Sequence, residues 1–139
     1  MTVFLDTNIL LDYFDEKRIY HDAAKKIVSM CYNRAINGTA ASLSFTNIFY
    51  ILRKEYTAEE RKKLLRILKS FIEVVGVTGE IIEKALDNEY FDDLEDCVQY
   101  ECAKVVGAEY IITRNIKDFK ENDVACIEPK DFIEILTKQ

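Results

Sequence analysis

Proline and glycine are scarce in this chain: one proline and four glycines in 139 residues leave no stretch that resembles a linker. No internal repeat or low-complexity run divides it either, so a single domain spanning 1–139 is expected. With 49% hydrophobic residues, that domain has core enough to fold without staples. Long apolar runs are also missing. No window reaches the ~20 apolar residues of a membrane span. The amino terminus, Met1-Thr2-Val3-Phe4-Leu5-Asp6, has no basic region followed by an apolar stretch, and a cytoplasmic protein without a membrane partner is expected. The only histidine is His21, and Cys31, Cys97, Cys102 and Cys126 show no C-x-x-C spacing. That disfavours a zinc site and predicts reduced, mostly buried thiols. No Cys or Ser nucleophile stands at readable spacing from His21, so a catalytic triad is not indicated. Positive charge is in deficit too. A net charge of −6 argues against a protein that holds nucleic acid by a general basic field. It leaves room for a nuclease, because a cation bound among carboxylates reverses the local potential that a phosphate meets.

What the chain does contain is four clusters of small oxygen-bearing side chains: Asp6-Thr7-Asn8, Ser44-Phe45-Thr46-Asn47, Asp92-Asp93-Leu94-Glu95-Asp96, and Thr113-Arg114-Asn115 with Asp118. Periodicity predicts short strands at 2–5, 39–43, 73–77, 110–113 and 124–127. Helical patterns separate most of them, at about 9–14, 20–35, 45–56, 58–71, 79–88, 94–106 and 130–136. Thr57-Ala58-Glu59-Glu60 reads as a capping box that breaks two helices of a hairpin apart. Strands alternating with helices imply an α/β fold, a three-layer α/β/α sandwich around a central parallel sheet of about five strands.

In a parallel sheet, a helix that follows one strand and a helix that leads into the next both begin at the strands' carboxyl edge. All four clusters therefore converge there. Taken singly, each has a simpler account: Asp6 to Asn8 can cap a helix, and the acidic run can complement a helix dipole. Taken together they are less easily dismissed, since capping does not require an Asp directly after Val3-Phe4-Leu5. Asp92 and Asp96 at i,i+4, and Asp93 and Asp96 at i,i+3, would also crowd like charge on one face if the helix starts early. A hard divalent cation relieves such crowding, and oxygen-only ligands suit Mg²⁺ or Mn²⁺.

Val3-Phe4-Leu5-Asp6-Thr7-Asn8-Ile9-Leu10-Leu11-Asp12 resembles the opening motif of PIN domains. Glu95-Asp96-Cys97-Val98-Gln99-Tyr100, followed by Ala108-Glu109-Tyr110-Ile111-Ile112-Thr113-Arg114-Asn115-Ile116-Lys117-Asp118-Phe119, resembles their closing half. The similarity runs in order and spacing over nearly the whole chain. It implies a compact α/β sandwich, an endoribonuclease dependent on Mg²⁺ or Mn²⁺, and a toxin of the VapC-like type held inactive by an antitoxin. On that resemblance Asp6 is the first acid of the motif, Asp96 the acid opening the later helix, Asn115 the position after Thr-Arg, and Asp118 the acid a turn further on. These four are the expected catalytic residues, and with Asn47 the expected metal ligands. Asn47 is a departure, because the family usually places a Glu there, and an amide brings no charge and no base. Asp92, Asp93 or Glu95 can supplement the charge.

The chemistry implied is metal-assisted attack of water on an RNA phosphodiester. Arg114 is a candidate for pairing with flanking phosphates. Thr113, Ser44 and Asn8 are candidates for substrate contact as well, with Thr113, Ser44 and Thr7 also able to orient water or ligand geometry and Asn8 to fix the turn. Excess apolar positions on 48–52 and 64–68 leave open a homodimer or antitoxin contact beside a broad core-facing surface. Two rival readings stand: a noncatalytic RNA- or protein-binding module on a degenerate scaffold, and a haloacid-dehalogenase-type phosphatase. The second lacks its Asp-x-Asp, since Asn8 holds the third position.

Overall fold

The computed structural model describes residues 1–119 and 123–138. Val3, Phe4 and Leu5 are fully buried, and each such side chain withdrawn from water contributes roughly 1.5–3 kcal/mol. They belong to β1 (Thr2–Leu5), the middle strand of a sheet ordered β3-β2-β1-β4-β5. Its neighbours are β2 (Asn37–Ala41) and β4 (Tyr110–Ile112), flanked by β3 (Glu73–Val75) and β5 (Ala125–Ile127), and every pairing is parallel.

Alternation along β1 divides the core. Val3 and Leu5 pack with α1 (Thr7–Phe14), α2 (His21–Tyr32), α3 (Ser42–Ile51), α4 (Ala58–Lys69) and α7 (Pro129–Thr137). Phe4 points the other way, into α5 (Gly79–Asp87) and α6 (Leu94–Val105). The fold is the three-layer α/β/α sandwich with a five-stranded parallel sheet that the alternation implied.

Some boundaries move. The second strand runs Asn37–Ala41 rather than 39–43, because its register is set by a four-residue β1, with Thr2 opposite Asn37 and Phe4 opposite Thr39. Helix α3 therefore starts at Ser42, and Asn47 is its sixth residue instead of lying in its first turn. Helix α6 starts at Leu94 with Asp93 as its cap, Asp93 Oδ1 accepting from the Asp96 N–H at 3.0 Å, so Asp92 falls outside the helix. The capping box is present, Thr57 and Glu60 each bonding the other's backbone N–H. All four cysteines are free, and burial pushes the Cys31 thiol up to about 12, out of reach as a thiolate ligand. Among the described residues no helix is long and apolar enough to cross a membrane.

Candidate active site

The chain leaves β1 toward β2 on one side and later enters β4 on the other, so the carboxyl edge between β1 and β4 is a topological switch point, where open α/β sheets bind ligands. Asp6 ends β1 there, its backbone N–H bonded to Ile112 O at 3.1 Å. Although 97% of its surface is hidden, at 3% exposure, its carboxylate is fully accounted for. Oδ1 accepts from Gln99 Nε2 at 3.1 Å, and Oδ2 accepts from Thr113 Oγ1 at 2.8 Å.

Gln99 is itself locked. Its Oε1 accepts from the Thr7 N–H at 3.1 Å and from Thr7 Oγ1 at 3.3 Å, and Thr7 Oγ1 lies 2.6 Å from Ser44 Oγ. A backbone N–H can only donate, so the oxygen of the Gln99 amide must face Thr7 and its nitrogen must face Asp6. With Thr7 donating to Gln99, the Ser44 hydroxyl donates to Thr7. On the other flank the Asn115 N–H donates to Thr113 Oγ1 at 3.0 Å. Every hydrogen in this chain thus points toward Asp6.

Around Asp6 lies a cavity of about 390 Å³ whose wall includes Asn8, Asn47, Tyr50, Glu95 and Asp96. Glu95 Oε1 accepts from Asn47 Nδ2 at 2.9 Å. At the position where the resemblance called for a Glu, an amide on α3 thus tethers a carboxylate from α6. Burial raises the Asp6 carboxyl above its ordinary value against the pull of Thr113, Gln99 and the Thr7 and Asn8 backbone. Desolvation, then the charges of Asp93, Asp6, Asp118 and Glu95, push Asp96 up to about 7. Burial and Asp93 also raise Glu95, with the Asn47 bond opposing. Neighbouring carboxylates therefore raise one another here, an effect that a bound cation would oppose.

The donors are hard oxygens throughout. Among the described residues no three His, Cys, Asp or Glu side chains are gathered into a ready-made cage. A larger cleft of about 570 Å³ lies elsewhere, its wall mixing Asp15, Glu16 and Glu55 with Lys17, Lys25 and His21.

Other expected site residues are placed differently. Thr113 and Ser44 are fully buried and hold Asp6 and Thr7 instead of reaching a substrate. Asn115 and Asp118 are exposed on the loop after β4 and are not among the residues of the cavity wall, although the Asp118 charge reaches Asp96. Arg114 is engaged: its Nε donates to Asp12 Oδ2 at 2.7 Å, and its guanidinium stacks on Tyr20 at 4.6 Å. Asp12 has no exposed side-chain surface and is also paired with Arg18 at 3.2 Å. Sequence reasoning missed Gln99 and Asp12. Their helical positions read as ordinary, and only the folded contacts reveal what they hold.

The model of the PIN domain matches residues 2–117. The chain belongs to the PIN domain family. A curated relative, Ribonuclease VapC1 of Aquifex aeolicus (strain VF5), is 29% identical over 139 residues, covering 95% of this PIN domain chain and 93% of the relative. Among solved structures, a toxin-antitoxin complex from Klebsiella pneumoniae contains a chain with a TM-score of 0.68 and 24% identity, the match covering 91% of this chain and 97% of that one. VapBC2 from Rickettsia felis, bound to a DNA fragment from their promoter, gives 0.68 at 17% identity over 92% and 98% of the two chains. Mycobacterium tuberculosis VapC20, described as a Sarcin-Ricin loop cleaving toxin, gives 0.63 at 15% identity over 78% and 86%. These likenesses are of fold. The haloacid-dehalogenase reading gives way to the PIN assignment.

Proposed function

We propose that this single PIN domain is a cytoplasmic endoribonuclease that hydrolyses RNA phosphodiesters with Mg²⁺ or Mn²⁺ and acts as the toxin of a toxin-antitoxin pair. The observation that carries the reading is the Asp6 carboxylate. It is buried, gripped on both oxygens by Gln99 and Thr113, and set in one cavity wall with Asp96 and Glu95. The ribonuclease name of the curated relative and the toxin-antitoxin assemblies of similar fold support the same function.

In this reading Asp6 and Asp96 would hold the cation, and Glu95 of α6, tethered by Asn47 of α3, would add charge beside them. Asn115 and Asp118 would contribute from the segment after β4, directly or through water. A bound Mg²⁺ or Mn²⁺ contributes charge neutralisation at the phosphate and an acidified water. The protein's part is geometric. Gln99 and Thr113 fix Asp6 in direction and favour its ionised form against the opposing effect of burial, because each hydrogen bond they donate strengthens with negative charge on the acceptor. Thr7 and Ser44 keep Gln99 from turning. Asn8, on the cavity wall beside Asp6, contributes an amide to the substrate side.

The neutral Asn47 and Asn115 favour one competing reading, a binding module that does not turn over RNA. A panel of single-stranded and structured RNAs incubated with Mg²⁺, Mn²⁺ or EDTA, comparing wild type with Asp6→Asn, separates the two. Cleavage that disappears with EDTA and with the substitution is expected. A folded wild type that binds RNA but cuts none with either metal supports the binding module.

A further inference from the structure

Tyr50 stands on the wall of the Asp6 cavity, yet it remains 62% exposed. A large aromatic ring open to solvent beside a cluster of carboxylates satisfies no packing need. The ring is also organised. Helix α3 tightens after Ile51 into a 3-10 turn, Leu52–Lys54, where side chains three apart come nearly into line. Arg53 accordingly folds back: its Nη1 donates to Tyr50 O at 3.0 Å, and its guanidinium lies 3.9 Å from the Tyr50 ring centroid.

Two other arginines near this region are already committed. Arg114 is tied to the buried Asp12. Arg61 clasps the α3–α4 hairpin, donating to Phe49 O and lying 4.2 Å from the Phe49 ring. Arg53 makes no ion pair among the described residues, and its guanidinium rests on the ring of Tyr50, whose cavity wall also carries Asp6, Glu95 and Asp96.

Resting on the ribonuclease reading above, we propose that Tyr50 and Arg53 form a platform for single-stranded RNA. An unpaired base stacks on the Tyr50 face opposite the guanidinium, and Arg53 meets the adjoining phosphate. Stacking is open to any base, because all bases have a π face. The preference is for unpaired RNA, since a base must leave its duplex partner to lie flat on the ring. The arginine supplies at this one place the positive charge that a net −6 chain lacks overall. A protein partner on the same surface would use the ring's apolar area with no need for a guanidinium over it, and RNA uses both.

The chain contains no tryptophan, so Tyr50→Trp places a sole indole on the platform. Titration of that variant in EDTA with oligouridylate and oligoadenylate single strands is expected to quench its fluorescence saturably. A duplex of the same length should quench it far less, and adding Arg53→Ala should weaken the quenching. In kinetics, Tyr50→Ala is expected to raise KM about ten-fold, the order of one lost base stack. Tyr50→Phe keeps the ring and should keep KM, and Mn²⁺ affinity by calorimetry should match wild type in both. Unquenched indole fluorescence, or a Tyr50→Ala enzyme with wild-type KM, overturns the platform. If wild type cuts no RNA, the ribonuclease reading fails separately, and quenching still decides whether the ring stacks on bases.

Discussion

Gln99 Nε2 and Asp6 Oδ1, 93 positions apart in sequence, lie 3.1 Å from each other in the buried floor of the site. The first acid of the PIN motif is thus aimed by a neutral amide on α6, three residues beyond the second acid, Asp96. One helix presents one carboxylate and orients another.

Replacing Gln99 by Met keeps much of the volume and removes both halves of the amide. The Thr7 N–H loses its acceptor in a buried place, at a cost of about 1–3 kcal/mol, and Asp6 loses a donor. Urea unfolding should show that loss. Mn²⁺ binding should weaken in parallel, beyond any change in Gln99→Glu, which retains an acceptor for Thr7 while placing a second charge beside Asp6 and so should bind RNA worst of the three.

The carboxylates predict how metal-free stability depends on pH. Asp96 is raised from 3.8 to about 7, and Asp6 and Glu95 are raised too. Between the unfolded and folded pKa values the native state holds more protons than the unfolded state, so stability falls as pH rises through that window. Thermal unfolding in EDTA should show a decline from about pH 4 to about pH 7. Saturating Mg²⁺ should flatten or reverse it, and a decline of the same size with the metal present would count against cation binding at these groups.

Arg114 anchors the loop after β4 to α1 through Asp12, whose side chain is wholly buried. Arg114→Ala leaves that carboxylate with Arg18 alone. The expected loss is below the ~3–5 kcal/mol of a fully orphaned buried charge, yet larger than the loss in Arg18→Ala, because the Arg114 contact is shorter, 2.7 against 3.2 Å. Chemical denaturation of both variants checks the ranking.

Gly38 in β2 lets α2 approach the sheet. A Cβ at Gly38 would meet Cys31 Sγ at 2.5 Å and Ile72 Cδ1 at 2.7 Å. Gly38→Ala should therefore destabilise by about 1–3 kcal/mol through overpacking. Adding Cys31→Ala should return part of that loss, which a double-mutant cycle measures, and zero coupling would refute the contact as its cause.

Much of the site could be read from the chain. Asp6, Asp96, Asn47 and Asn8 meet at one cavity because strands that alternate with helices put their carboxyl ends on one edge. Ser44 and Thr113 were legible as neighbours of that edge but not in their roles. Being short hydroxyls, they fit equally a substrate contact or an internal brace, and only their complete burial distinguishes the two. Arg114 reads as a phosphate ligand until its partner is known, and that partner, Asp12, looks in sequence like one more polar residue of a short helix.

Local periodicity, turn chemistry and strand composition settle which segments are strands and helices, and the rule that parallel crossovers return to the same edge then brings the acids together. Those are short-range properties, readable residue by residue. The pairings Gln99 with Asp6, Asn47 with Glu95, Arg114 with Asp12 and Arg53 with the ring of Tyr50 belong to the tertiary structure. Each depends on side-chain direction and burial, and most join residues far apart in the chain, which spacing alone does not determine.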